Sequence, residues 1–263
     1  MYRKLFLCLL VFGAAAIAQT SAPPDGAERD RILALMQQYV ASYGSRVPDV
    51  TYDTTITDFQ GRAESDKWFK QGTTYSNRIA HNGHEYYRPA GSEGKTLPGA
   101  EWKRGGGRPF NLWDIVEALG RAKLVWSRWD TLRDHRLAVF DYTVSQQDSK
   151  WTVTERSAGS ATVPYAGSVF LDPATGAIWR LTDVVTEIPA RFKTRYASGT
   201  LDSDLVTIGT AQYLLPIADT EIGRREGEMD WRVEWVNRNF HKFEADSSID
   251  FLQVDSSVTE RPH

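Results

Sequence analysis

Two histidines flank the dipeptide Asn82-Gly83 and have the spacing that best suits metal binding. Asn-Gly is a strong signal for a two-residue hairpin turn, so His81 and His84 are expected to face each other on adjacent strands. Their Cβ atoms would lie about 4.5–5.5 Å apart, close enough for both imidazoles to reach one ion. Glu85 would point to the other face, and no other histidine has a spacing that adds a third ligand. His81 and His84 are therefore weak metal candidates, since paired histidines beside a turn are more often simply polar turn residues.

Two further motifs resemble catalytic or nucleotide-binding patterns but lack required parts. Residues 91–96 read Gly-Ser-Glu-Gly-Lys-Thr, yet a phosphate loop needs a glycine at position 89, which is Pro89, and a helix afterwards, where Leu-Pro-Gly follows. Gly159-Ser160 lacks the Gly-x-Ser-x-Gly elbow of a serine nucleophile. The sequence thus predicts no cofactor and no catalytic residue, and we expect a protein that is not an enzyme.

The amino-terminal stretch has the features of an export signal. A basic start is followed by a short apolar run and by the small-residue site Ala16-Ile17-Ala18. We interpret residues 1–18 as a cleaved signal peptide and 19–26 as a leader, which predicts a periplasmic or secreted protein. The apolar run is too short for a transmembrane anchor. Cys8 is the only cysteine and follows Leu7, so no lipoprotein box and no disulfide are predicted.

The charge balance excludes one class of partner. The full chain carries a net charge of −3, and loss of Arg3 and Lys4 with the signal makes it more acidic. Without a basic excess or a Lys/Arg stripe, the chain lacks the electrostatic footprint of nucleic-acid binding.

One long helix is predicted near the start of the domain. Asp25 and Glu28 stand three residues apart, as in a capping box, and Gly44 is a stop signal. Between them, apolar residues recur at helical spacing: Ile32, Leu35, Met36, Tyr39, Val40 and Tyr43. This pattern predicts a helix over residues 27–43. A second, shorter helix is predicted over residues 111–120.

The rest of the chain has the period of two that is typical of strands. The clearest hairpin combines residues 165–171 with 177–185 around the turn Asp-Pro-Ala-Thr-Gly at 172–176. Ten or more antiparallel strands are expected, and a sheet this wide must curl. We predict a mainly β (α+β) fold, a wide curved sheet or unclosed half-barrel with both helices on its concave side. A single domain over 27–252 and a flexible tail over 253–263 complete the prediction.

A curved sheet plugged by only two helices can leave a pocket lined by aromatic residues. The chain has nine Trp, eleven Tyr and eleven Phe, although a fully packed core would use such residues equally well. The candidates for facing a ligand or the helix plug are Leu35, Met36, Tyr39, Trp126, Phe140, Tyr142 and Trp179.

With these elements placed, the sequence resembles the periplasmic lipoprotein-carrier superfamily of LolA and LolB. The resemblance rests on the signal followed by an amphipathic helix, on the run IAHNGHEYYRP at 79–89, and on the 172–176 turn with the strand after it. It is nearest to uncharacterised secreted bacterial members, through the Tyr-Leu-Leu-Pro run at 213–216. The resemblance implies a half-barrel and a carrier role, but the carriers' functional arginine has no match here.

These observations favour an exported, non-catalytic protein that binds a lipid or acyl chain in the concave face. The alternative hypothesis is an envelope protein-interaction or sensor module with a packed core. The third is an unrecognised hydrolase.

Overall fold

The computed structural model describes residues 22–46, 48–62, 64, 66–81, 84–105, 119 and 122–243. Within them lie one long helix, α1 (Gly26–Arg46), and thirteen strands: β1 (Val50–Arg62), β2 (Lys67–His81), β3 (His84–Ala90), β4 (Lys103–Gly105), β5 (Lys123–Leu132), β6 (His135–Val144), β7 (Thr152–Glu155), β8 (Gly159–Thr162), β9 (Tyr165–Leu171), β10 (Ile178–Val185), β11 (Thr194–Ile208), β12 (Ala211–Arg225) and β13 (Asp230–Lys242).

Helix α1 begins at the predicted cap. The backbone N–H of Glu28 donates to Asp25 Oδ1 at 2.8 Å, which satisfies one of the free donors of the first turn. The helix continues to Arg46, past the predicted stop at Gly44. The predicted second helix over 111–120 falls outside the described residues except for Leu119, which is buried.

Eleven strands form one antiparallel sheet in the order β4-β3-β2-β1-β13-β12-β11-β10-β9-β6-β5, and β7 pairs with β8 in a separate hairpin. The order ends at β4 on one side and β5 on the other, so the sheet is not closed into a barrel. The predicted fold class is confirmed: a large, unclosed antiparallel sheet with a helix packed on it.

The turn at residues 172–176 fixes the helix to the sheet. Asp172 Oδ1 accepts hydrogen bonds from the N–H groups of Ala174 and Thr175, both at 2.8 Å. Gly176 has φ +72°, and a Cβ built on it would lie 2.2 Å from the backbone carbon of Leu35. Arg31 Nη2 also donates to the Pro173 carbonyl at 2.8 Å. Only glycine allows the turn to lie this close to the helix.

The largest core cluster lies between α1 and the sheet. It contains Ile32, Met36, Tyr39 and Tyr43 of the helix together with inward residues of β6, β9, β10 and β11. We call the side of the sheet that carries α1 the inner face and the other side the outer face.

Trp179 departs from its predicted position. The alternation of residues 177–185 predicts that Trp179 and Leu181 share a face, but Leu181 lies in the cluster under α1 and Trp179 packs with Leu137, Val139 and Phe170. The cause is an irregularity between Ile178 and Arg180, where β10 has an extra residue relative to β9. A bulge of this kind shifts the alternation by one residue.

Candidate binding surface on the inner face

A row of directly opposed residues crosses nine strands of the inner face. Opposed residues of antiparallel strands point to the same side, so the strand register identifies the members of this row. From β5 to β2 the central row reads Trp126, Phe140, Val169, Leu181, Leu201, Asp219, Trp235, Ile56 and Thr74. Seven of these nine side chains are apolar, so the inner face is apolar well beyond one local cluster.

Helix α1 covers one part of this row completely. Met36 and Phe140 are each 1% exposed, and they belong to the same cluster as Tyr39, Tyr142 and Leu181. We call this region the filled half. Four of the residues predicted to face a ligand or the helix plug, Met36, Tyr39, Phe140 and Tyr142, thus lie in the cluster between the helix and the sheet.

The other predicted positions differ in their surroundings. Trp126 is half-buried at the border of the cluster, and its ring lies 5.1 Å from that of Trp129 and 5.4 Å from that of Phe140. Leu35 is only half-buried. Trp179 lies on the outer face, as described above, so it does not join the others.

The row continues past α1 over β13, β1 and β2, and we call this region the open half. Trp235, Ile56 and Val233 are all half-buried there, in contrast to the closed cluster under the helix. At its far end, Gln60 is opposed by Trp231 on one side and by Phe69 on the other. Phe69 is 65% exposed. The open half therefore offers partly exposed apolar and aromatic side chains, with the exposed polar residues Asp58 and Gln60 between them.

Acidic residues lie at the border between the two halves. Asp219 in the central row and Asp183 beside it are 1% and 3% exposed, and Glu221 is half-buried. Asp183 is opposed by Gly167 and by Gly199, so no neighbouring side chain covers it from the adjacent strands. Each of the three acids interacts with other groups of the chain. Burying a carboxylate costs free energy unless other groups compensate it, so this border is a polar interruption of the apolar row.

A buried polar network lies on the inner face where β1, β2 and β3 meet. Tyr52 Oη donates to Glu85 Oε1, and Arg78 Nη1 donates to the same oxygen at 2.7 Å. All three residues are buried. Burial raises the pKa of Tyr52 well above its usual value, with the Glu85 charge acting in the same direction. Tyr52 therefore stays protonated near neutral pH and acts as a hydrogen-bond donor.

The histidine pair has the predicted register and a different polar partner. His81 is opposed by His84 across the hairpin, while Asn82 and Gly83 fall outside the described residues. The imidazole Nδ1 of His81 lies 2.6 Å from Asp49 Oδ2. In the described part of the chain, no three His, Cys, Asp or Glu side chains form a group that could hold a metal ion.

The glycine-rich run at 91–96 and the serine at 160 both form hydrogen bonds within the structure. Residues 91–96 form a tight turn, closed by a hydrogen bond from the Gly91 N–H to the Lys95 carbonyl at 2.8 Å. Thr96 Oγ1 donates to Asn77 Oδ1 at 3.0 Å, which joins this turn to β2. The Ser160 hydroxyl lies 2.9 Å from that of Thr154 across the β7–β8 hairpin.

Comparison with known proteins gives structural similarity only. No family model matches the sequence, and no curated protein sequence matches it significantly. A LolA superfamily protein from Nitrosomonas europaea is similar over 82% of this chain and 93% of its own, with 10% identity and a TM-score of 0.38. A DUF1329 family protein from Desulfovibrio piger is similar over 85% and 96%, with 12% identity and a TM-score of 0.37. The MucA/MucB complex of Pseudomonas aeruginosa contains a chain similar over 79% and 93%, with 9% identity and a TM-score of 0.23.

A member of the superfamily suggested by the sequence is thus among the similar structures. With TM-scores below 0.5, these similarities say nothing about the ligand or partner of this chain. None of the described helices combines the length and apolar character needed to cross a bilayer.

The open half was missed by sequence analysis. Residues 231–236 have the pattern of a strand, but nothing local indicates that Trp235 lies beside Ile56, which is far away in the sequence. Only the β1–β13 pairing, in which these two residues are directly opposed, brings them together.

Proposed function

We propose that this protein is a non-catalytic binding protein that holds a lipid, acyl chain or similar apolar ligand on the open half of its inner face. The observation that carries the proposal is the central row, which stays apolar at Trp235 and Ile56 after helix coverage has ended. Partly exposed apolar surface gains free energy when a ligand removes it from water, at roughly 25 cal/mol per Å². The proposal places the ligand on the part of the inner face that α1 does not cover.

Export is part of the proposal. The signal features of residues 1–18 fall outside the described residues, and they support a periplasmic or secreted location in which a carrier would meet lipids. The lack of any catalytic motif in the sequence supports binding rather than turnover.

The first experiment is native mass spectrometry of the purified protein, followed by titration with a fluorescent apolar probe. We expect a co-purified lipid or, after delipidation, saturable probe binding. Trp235→Ala should weaken probe binding, because it removes a large apolar side chain from the central row of the open half.

Trp68→Ala is the matched control. Trp68 is also a half-buried strand tryptophan, but its ring packs against Arg232, 4.9 Å from the guanidinium carbon, on the other side of the sheet. This variant should bind the probe like the wild type. Absence of both lipid and probe binding in the folded wild type would refute the proposal.

The alternative is an envelope protein-interaction module. The closely packed filled half favours it, and so do two exposed apolar side chains near strand-connecting turns. Phe69, beside the β1–β2 turn, is 65% exposed, and Met229, in the β12–β13 turn, is 52% exposed. Under this alternative, Trp235→Ala leaves probe binding absent as in the wild type.

A further inference from the structure

A cavity of about 420 Å³ lies where the start of β1 meets the ends of β2 and β13. This volume is within the range of small-molecule sites. It is separate from the open half and independent of the proposed function. Its charged and aromatic lining residues are Tyr52, Asp53, Arg78, Arg88, Trp102, His241, Lys242 and Phe243. Two of them, Tyr52 and Arg78, already donate hydrogen bonds to Glu85.

No described residue supplies a counter-charge to Arg88. Its guanidinium carbon lies 4.4 Å from the centre of the Trp102 ring, and its buried Nε donates no hydrogen bond. Among the residues that the structure describes, it forms no ion pair. Burial lowers the pKa of Arg88, in keeping with a charge that is partly removed from water. An anion bound beside it would compensate this cost.

The single carboxylate of the lining is already engaged. Asp53 accepts hydrogen bonds from Asn77 Nδ2 at 2.8 Å and from Asn239 Nδ2 at 2.9 Å. Asn77 stands between Asp53 and Arg88 in the strand register, opposed to both. The turn at Gly94 packs against the same carboxylate. Asp53 is therefore bound by amides and forms no described ion pair with Arg88; it keeps its negative charge, which Arg88 and Lys242 together outnumber.

Arg78 is paired with Glu85, so the second cation of the lining without an ion pair among the described residues is Lys242. Lys242 is exposed at the end of β13, and no described residue forms an ion pair with it. An arginine supplies a planar fork of N–H donors and a lysine supplies a compact charge, and together they suit a doubly charged oxyanion. Trp102 and Phe243 add apolar walls, so an organic group attached to the anion would also be accommodated.

We infer that this cavity binds a phosphate-bearing molecule, with Arg88 and Lys242 as its anchors. The phosphate belongs either to a small soluble ester or to a phospholipid headgroup, and the two sources are separated by experiment. Binding should weaken as salt concentration rises, because ion pairing at a partly exposed site is screened.

The test is isothermal titration calorimetry of the full chain with phenyl phosphate, with benzyl alcohol as the uncharged comparison. Arg88→Gln and Lys242→Gln should each weaken phenyl phosphate binding by roughly tenfold or more, the effect of losing one charge-assisted contact. Arg136→Gln is the matched control, since Arg136 also stacks on a tryptophan, Trp129 at 3.8 Å, away from the cavity. It should bind like the wild type.

Vesicle flotation identifies the source of the phosphate. Binding to phosphatidylglycerol vesicles that is lost in Arg88→Gln assigns the site to a headgroup, and binding to phenyl phosphate alone assigns it to a soluble ester. If the wild type binds neither, or if both variants bind as well as the wild type, the inference is wrong. Because Lys242 is exposed, Lys242→Gln keeps the test valid even if Arg88→Gln lowers the melting temperature.

Discussion

Glu155 joins the β7–β8 hairpin to the start of β11. Its carboxylate accepts hydrogen bonds from the Thr194 hydroxyl at 2.6 Å and from the N–H groups of Thr194 and Lys193 at 2.7 and 2.9 Å. The Thr194 hydroxyl is the main reason that the pKa of Glu155 falls to about 2, and the two backbone donors add to it. The charged form of this one residue holds two elements together.

This geometry predicts a specific pH dependence of stability. The pKa of Glu155 is lower in the folded protein than its usual 4.5, so its contribution is fully present above 4.5 and is lost as the pH falls through about 2. In urea unfolding, Glu155→Gln should be less stable than the wild type at about pH 6, and the difference should shrink at about pH 2.5. Glu101→Gln, at an exposed position, is the control. A stability difference between the wild type and Glu155→Gln that is equally large at both pH values would contradict the prediction.

Gly176 is a second residue on which more than one element depends. Gly176→Ala should lower the free energy of unfolding by more than the about 1–3 kcal/mol expected from a left-handed backbone alone, because the new Cβ would also collide with Leu35. Gly209→Ala is the matched control, since Gly209 has φ +64° with no atom within 4 Å of the built Cβ. Chemical denaturation measures both variants. Equal decreases in the free energy of unfolding for the two variants would mean that Gly176 is not in close contact with the helix.

At the scale of the element, α1 was the most predictable part of the molecule. Its cap and its apolar period are local signals, and both are found in the structure. In the long strands β11 and β12, the local pattern predicts a strand only over residues 205–208 and 213–217. Their remaining halves are rich in Thr, Ser, Gly and charged residues, and they become strands because neighbours on both sides pair with them. Tertiary pairing overrides a weak local propensity here.

Alanine substitutions at two adjacent positions of the helix should lower stability by different amounts. Met36→Ala should cost about 2–5 kcal/mol, because Met36 is 1% exposed in the cluster under α1. Leu35→Ala should cost less, since Leu35 is half-buried, although both side chains lie on the same turn of helix. Thermal and urea unfolding of the two variants provide the measurement. Similar losses would show that the filled half is not as closely packed as described.

At the scale of the whole molecule, hydrogen exchange should follow the position of strands in the sheet. Amides of β9 and β10 should exchange slowest, because apolar clusters cover both faces there. Amides of β4, a three-residue strand at one edge, should exchange fastest among the strands of this sheet. Mass spectrometry of deuterium uptake measures this order. Fast exchange in β9 and β10 would contradict the described core.

The sequence predicted the fold class but not the binding surface, and the reason is physical. Hairpins such as β9–β10 are specified by their turns, whereas the position of Trp235 beside Ile56 depends on pairing between strands that are distant along the chain. The face of Trp179 depends on one extra residue in β10. Bulges and long-range register leave little trace in local periodicity, and the candidate site depends on both.

The pairing of β1 with β13 also determines at what point in folding the sheet can be completed. β13 is the last of the described strands along the chain, yet it lies inside the sheet, between β1 and β12. Until it arrives, β4-β3-β2-β1 and the six strands from β12 to β5 are separate pieces with open hydrogen-bonding edges. The described sheet therefore cannot be completed before β13 is available, and until then the two pieces expose strand edges at which chains can aggregate.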